Sequence, residues 1–371
     1  MSSLTGETFH PERALCQKAQ VVTQIHTVAQ DVTLSLPSFF IVGAPKTGTT
    51  SLHHYLDQHS QIYMSPVKEP CYFASEVRLE HFGREFEPAA RKSSQRLHEY
   101  LEGPMVGGDP GGIVSNWEDY LKLFKNVGTE KAIGEASVCY LWSPTAAVNI
   151  RSRIPDAKIL MILRDPAERA FSQYLQYAAN GLVRCSFREQ IECSARNTRH
   201  EFNPLYPFLE YGQYYEQVKA YLALFPRANV RIYLYEEAWN DPAGFLKSIF
   251  EYLGVDPEFR ADVSRRSLQG RAPRTLTGQY LLRKAGLTPR LKTLLPKIVR
   301  KGIRRSLFKT NDPPRIDASD RKYLSDYYRD DVEKLSSLLD RDLGGWLKLH
   351  VLLARETRSL KSTALESDSH L

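Results

Sequence analysis

Two short stretches carry residue types spaced for anion chemistry. The first, Phe39-Phe40-Ile41-Val42-Gly43-Ala44-Pro45-Lys46-Thr47-Gly48-Thr49-Thr50-Ser51-Leu52, passes from an apolar, β-branched run through glycine and proline into the hydroxyl-rich start of an amphipathic stretch that reaches Gln58. That pattern predicts a strand, a tight loop and a helix N-terminus. Glycine lets the N–H groups of Thr47, Gly48, Thr49 and Thr50 converge, and the hydroxyls of Thr49, Thr50 and Ser51 add donors. The helix dipole favours negative charge and Lys46 brings a full positive one, so the stretch makes a cradle for a phosphate. The second stretch is a buried-type strand, Ile159-Leu160-Met161-Ile162-Leu163, that ends in Arg164 and is followed by Asp165-Pro166, a helix start, with Ser172 one or two turns in. An arginine fork suits a phosphate dianion and the serine adds a donor.

The cradle is not the nucleoside-triphosphate loop G-x-x-x-x-G-K-[ST]. Gly43 and Gly48 have that spacing, but Thr49 and Thr50 follow, and Lys46 stands two places before the second glycine. Where such a loop is usually answered by a magnesium-binding aspartate, the second strand ends in Arg164; Asp165 comes next and leaves a metal site open.

The elements that must hold these stretches alternate along the chain. Strands are expected at Gln61–Met64, Ala132–Glu135 and Val230–Tyr235. Helices are expected at Trp117–Phe124, Pro144–Ile154, Tyr211–Leu224, Pro242–Leu253 and Asp317–Leu343. The alternation predicts one α/β domain over 37–347, a mainly parallel central sheet flanked by helices, after an N-terminal arm (1–36) and before a polar tail (348–371). Residues 83–116, rich in Gly, Pro, Ser and charge, read as a mobile insertion that either covers an acceptor or makes a plain surface excursion. From Val263 to Asn311 there are fourteen Lys and Arg and no acid; without those fourteen the net charge of +7 becomes −7. This basic segment suits a solvated face or an anionic substrate first and an acidic membrane surface second, and nucleic acid is not the expected partner.

Five scattered cysteines (Cys16, Cys71, Cys139, Cys185, Cys193) with no C-x-x-C pair indicate neither a disulfide framework nor a zinc knuckle. With no continuous apolar run at the N-terminus or elsewhere, a soluble protein of the reducing cytoplasm is expected.

At Pro45-Lys46-Thr47-Gly48-Thr49-Thr50 and at Arg164-Asp165-Pro166-Ala167-Glu168-Arg169-Ala170-Phe171-Ser172 the chain resembles the sulfotransferases that use 3′-phosphoadenosine 5′-phosphosulfate. The resemblance runs from about Pro37 to about Leu347 and is nearest the carbohydrate (heparan-type) and bacterial branch. It implies a P-loop-like fold in which Lys46, Thr47, Gly48, Thr49, Thr50 and Ser51 hold the 5′-phosphosulfate while Arg164 and Ser172 hold the 3′-phosphate. A late loop, Ser267 to Arg274, would close over the nucleotide through Gly270, Arg271 and Arg274, with Gln269 where a lysine is often found. In the same way Glu69, in Glu69-Pro70-Cys71-Tyr72-Phe73, becomes the base that takes the acceptor proton. Enclosure by Tyr72, Phe73 and prolines would raise its pKa, and Lys68 would oppose that. Glu135 resembles an element near the acceptor, with a strand-end hydrogen-bond acceptor as the plain alternative. His53, His54 and His59 read as surface or packing residues. The activity implied is sulfuryl transfer to a carbohydrate or glycolipid hydroxyl by in-line displacement without a metal. A kinase or NTPase of the P-loop class and a non-catalytic basic binding module are the alternatives.

Overall fold

The apolar runs become a five-stranded sheet. The computed structural model describes residues 35–84, 86–196, 207–264, 273, 275–284 and 314–348. Its strands are β1 (Phe39–Gly43), β2 (Ile62–Met64), β3 (Ala132–Ala136), β4 (Lys158–Leu163) and β5 (Val230–Leu234), in the order β2-β3-β1-β4-β5. Every pairing is parallel, which is why β1 and β4 are apolar at nearly every position: both faces of such a sheet are covered.

Alternate residues feed two cores. Phe39 and Ile41 with Leu160 and Ile162 pack under α1 (Thr49–Leu56) and a helix at Pro242–Leu253. Phe40 and Val42 with Ile159, Met161 and Leu163 pack under α4 (Ala146–Arg153), α5 (Pro166–Ala179), α7 (Tyr214–Leu224) and α11 (Ala318–Leu339). The chain leaves β1 toward β2 and leaves β4 toward β5, and α1 and α5 lie on opposite faces. The carboxyl ends of these adjacent strands therefore border an open crevice, the position at which doubly wound sheets bind ligands.

Residues 83–116 are not the loop expected. They contain α2 (Glu87–Glu102), anchored by buried Leu97 and Leu101, and among so many charges only this i, i+4 pair marks a helix. Beyond α2 the segment returns to the sheet: the Val114 N–H donates to the Pro70 carbonyl (2.9 Å), and Asp109 Oδ2 accepts from the Lys68 N–H (3.2 Å). α3 (Trp117–Lys122) follows. α6 (Phe187–Arg196) and α8 (Tyr235–Asn240) have no counterpart in the sequence reading, α10 (Leu276–Lys284) falls in the basic segment, which was expected to be helical, and the helix at Pro242–Leu253 is α9. The N-terminal arm, the C-terminal tail, the late loop with Gly270, Arg271 and Arg274, and most of the basic segment lie outside the described residues. Among the described residues, no helix is long and apolar enough to cross a membrane.

Candidate active site

The loop after β1 turns through backbone conformations that open its amides. Lys46 has φ 69° and Gly48 has φ 86° at the N-cap of α1, where no side chain caps the first turn and no acid lies within it. Four N–H groups at a helix start lack intrahelical partners, so this terminus offers donors to an anion. Gly48 is required: a Cβ there would lie 2.5 Å from the indole of Trp239, whose Nε1 donates to the Thr47 carbonyl (3.0 Å) and braces the loop. Thr49 and Ser51 are buried and Thr50 is half-buried. Thr47 is fully buried and its hydroxyl donates to the Ala44 carbonyl at 2.7 Å, so of this residue only the backbone is offered to a ligand.

Arg164 meets this loop directly. Its Nη1 donates to the Lys46 carbonyl at 3.3 Å, its guanidinium lies 4.5 Å from the centre of the Tyr235 ring, and Glu168 Oε2 is 3.6 Å away. The two expected grips on a doubly phosphorylated ligand thus border one crevice. Ser172 follows Glu168 by one helical turn, and one turn further Gln176 accepts from Lys46 Nζ at 3.1 Å. Residues 168, 172 and 176 share a face of α5, which places Ser172 between the Arg164 and Lys46 contacts. Burial, and secondarily the Arg164 charge, bring the Lys46 ammonium down to about 8, while the Glu69 carboxylate opposes that fall.

Asp165 is not available to a metal. Its Oδ1 caps α5 by accepting from the N–H groups of Ala167 (2.9 Å) and Glu168 (3.2 Å). Both its oxygens also take the Arg321 fork, at 2.7 and 2.6 Å, in a buried pair that ties α11 to the start of α5. Having no spare capacity, this carboxylate is a joint in the fold.

The Glu69 loop runs beside the end of β3, its N–H donating to the Ala136 carbonyl (2.8 Å) with φ at 65°. Glu69 is not enclosed by the neighbouring rings as the sequence suggested. Tyr72 and Phe73 pack with Tyr120 instead, ring centres 4.8 and 5.1 Å apart, because large rings bury more area against each other than over a carboxylate. The Glu69 side chain stays 44% exposed at the rim and accepts from Lys68 Nζ at 2.5 Å. A cleft of ≈ 650 Å³ opens on the Lys68 side, lined among others by Thr50, His54, Lys68 and Asp109.

Below the rim, Glu135 is fully buried on three hydroxyls: Ser137 (2.7 Å), Tyr140 (2.8 Å) and Tyr120 (3.2 Å). Burial raises its pKa to about 7, the hydroxyls offsetting part of the rise. Of the two readings, the internal acceptor is the one the geometry bears out. His53 and His59 are packing residues whose ring nitrogens meet the carbonyls of Ser65 and Asp256. Sequence reasoning passed over Gln176, Tyr235 and Trp239. The turn after Ser172 pointed to the first, and no motif marks the other two.

Residues 37–259 match the profile of the sulfotransferase family. A human bifunctional heparan sulfate N-deacetylase/N-sulfotransferase 3 is 26% identical over 322 residues, covering 84% of this chain and 31% of the relative. Rat carbohydrate sulfotransferase 15 is 24% identical over 266 residues, 60% of this chain and 44% of the relative. The chain therefore spans less than half the length of these curated relatives. A crystal structure of a sulfotransferase from Alicyclobacillus acidocaldarius, 28% identical, superposes with a TM-score of 0.61 and covers 85% of this chain and 100% of that one. With the phosphate cradle and the arginine-ending strand meeting in one crevice, and with the family profile spanning both, this chain belongs to the sulfotransferase family.

Proposed function

We propose that the protein moves a sulfuryl group from 3′-phosphoadenosine 5′-phosphosulfate to a hydroxyl of a carbohydrate or glycolipid, and that it does so in the cytoplasm. The observation that carries the donor assignment is the 3.3 Å contact between Arg164 and the Lys46 carbonyl, which supports one nucleotide reaching both residues assigned here to phosphates. The names of the heparan and carbohydrate relatives support a glycan acceptor. The free thiols among the described cysteines support a reducing compartment.

In this reading the first-turn N–H groups of α1 and the Lys46 ammonium hold the 5′-phosphosulfate, and Arg164 with Ser172 holds the 3′-phosphate. An acceptor hydroxyl enters from the β2 side, its oxygen attacks sulfur, and Glu69 takes the proton. The bond from sulfur to the phosphate oxygen breaks in line, and Lys46 donates to that oxygen as its charge grows. Once an acceptor displaces Lys68 from the Glu69 carboxylate, the carboxylate is free to act as a base. Fixed positive charge from Lys46 and Arg164 supplies stabilisation that a metal supplies in phosphoryl transfer.

Calorimetry tests the donor. Adenosine 3′,5′-bisphosphate is expected to bind without magnesium. Magnesium-dependent binding of ATP, with none of the bisphosphate, would overturn the assignment in favour of a kinase or NTPase.

A further inference from the structure

The loop that carries Glu69 is tied to the loop after β3 by two thiols. Cys71 and Cys139 are 68 residues apart in sequence, yet their Sγ atoms lie 3.3 Å apart, both buried. Cys71 sits two residues beyond Glu69 and its Sγ donates to the Glu69 carbonyl at 3.2 Å. The Cys71 N–H donates to Ser137 Oγ at 3.1 Å, and Ser137 in turn holds Glu135. Both Glu69 and Cys71 have positive φ, at 65° and 56°, in conformations that a side chain-bearing residue keeps only when its surroundings hold it. The thiols thus meet in a frame that fixes the position of the candidate base. Neither the fold nor the transfer chemistry calls for a facing pair of cysteines here.

We propose that Cys71 and Cys139 form a redox modification site, a reversible disulfide that re-sets the Glu69 loop. A disulfide needs its sulfur atoms at about 2.05 Å, so closing the bond draws the two loops together by roughly an ångström. Cys71, the more exposed of the two, reacts first with a small peroxide. Its sulfur takes the terminal oxygen of hydrogen peroxide, giving a sulfenic acid and one water. Cys139 sulfur then attacks Cys71 sulfur and expels hydroxide, which leaves as a second water with the Cys139 proton. The two thiols lose two electrons and two protons, and one peroxide becomes two waters. A thiol reductant reverses the change. An ångström of movement at a base is enough to misplace it, so the oxidised protein transfers sulfuryl groups at least tenfold more slowly. This last consequence rests on the role proposed for Glu69; the bond itself does not.

Mild treatment of the folded full chain with hydrogen peroxide, followed by digestion without reductant, is expected to yield a Cys71–Cys139 linked peptide. Dithiothreitol should remove it. The linked protein should melt at a higher temperature, and that rise should be absent in Cys139→Ala. No linked peptide from the native wild-type protein overturns the site, whatever the chain's activity proves to be. A linked protein that turns over as fast as the reduced one overturns the regulatory consequence. If the reduced protein fails to bind adenosine 3′,5′-bisphosphate, the donor assignment falls, while the linked peptide still decides the modification.

Discussion

The crevice between β1 and β4 and the rim above β2 and β3 treat their charges in opposite ways. In the crevice, cations are held largely by neutral partners: Lys46 by the Gln176 amide, Arg164 by the Tyr235 ring and the Lys46 carbonyl, with Glu168 at 3.6 Å. Their field is little cancelled and remains available to a polyanion. At the rim, one carboxylate pairs with Lys68 and stays half in water, while the other sinks onto three hydroxyls and is pushed toward neutrality. The difference separates the tasks: one region binds charge, and the other keeps one base reachable above a buried carboxylate that holds its proton up to about pH 7.

The largest effect that sharpens the division is at Glu69. Glu69→Gln should lower transfer roughly 10³-fold, within the usual range for a general base, and leave binding of adenosine 3′,5′-bisphosphate unchanged. Rate assays with labelled donor, read beside calorimetry, check it. Transfer at the wild-type rate would move the base elsewhere, and a loss of donor affinity would erase the boundary between the two regions.

Arg164→Ala should act on the other region. Losing a charge-assisted fork to a phosphate should weaken the bisphosphate about 10- to 100-fold, with the loss shrinking for an analogue that lacks the 3′-phosphate. An equal loss for both analogues would show that Arg164 supports the loop without reading that phosphate.

The Lys46 ammonium, already lowered to about 8, gives a pH signature on the same side. Below that pH Lys46 is cationic and donor binding is at full strength; as pH rises through about 8 the charge is lost and affinity falls. Lys46→Arg should carry strong binding to higher pH, because guanidinium does not titrate there. Affinity that declines over the same interval in the arginine variant would assign the titration to another group.

How far each region was legible follows from how local its determinants are. The cradle and Arg164 stand at strand ends, where glycine, lysine and an apolar run terminated by arginine announce both element and task, and parallel neighbours then bring them together. The rim depends on long-range packing. That Tyr72 stacks on Tyr120 and leaves Glu69 in water, that Asp109 returns to Lys68, and that α8 supplies Tyr235 and Trp239 to the crevice are outcomes of tertiary contact between distant segments. Asp165 shows the same limit. Its place just after the strand left a metal site open, and only the arrival of Arg321, 156 residues away, commits it to the fold.

The smallest effect on turnover, and the sharpest test of the buried carboxylate below the rim, is expected at Glu135. Burial raises its folded pKa to about 7 from an ordinary 4.5, so the folded protein holds this proton more tightly than the unfolded chain. By linkage, its contribution to stability is greatest below about 4.5, is lost progressively as pH rises to about 7, and stays lost above. Glutamine has the shape of the protonated acid and still offers an oxygen to the hydroxyls of Ser137, Tyr140 and Tyr120. Glu135→Gln should therefore be more stable than wild type at pH 8, by about 1–3 kcal/mol, with the gap closing toward pH 5. His53, held down to about 4 mainly by burial, adds an opposite slope at low pH, but it is common to both proteins and cancels in the difference. Urea unfolding of the pair at several pH values measures that gap. Curves that stay parallel from pH 5 to pH 8 would mean that Glu135 is ionised throughout, and that burial does not hold a proton on it.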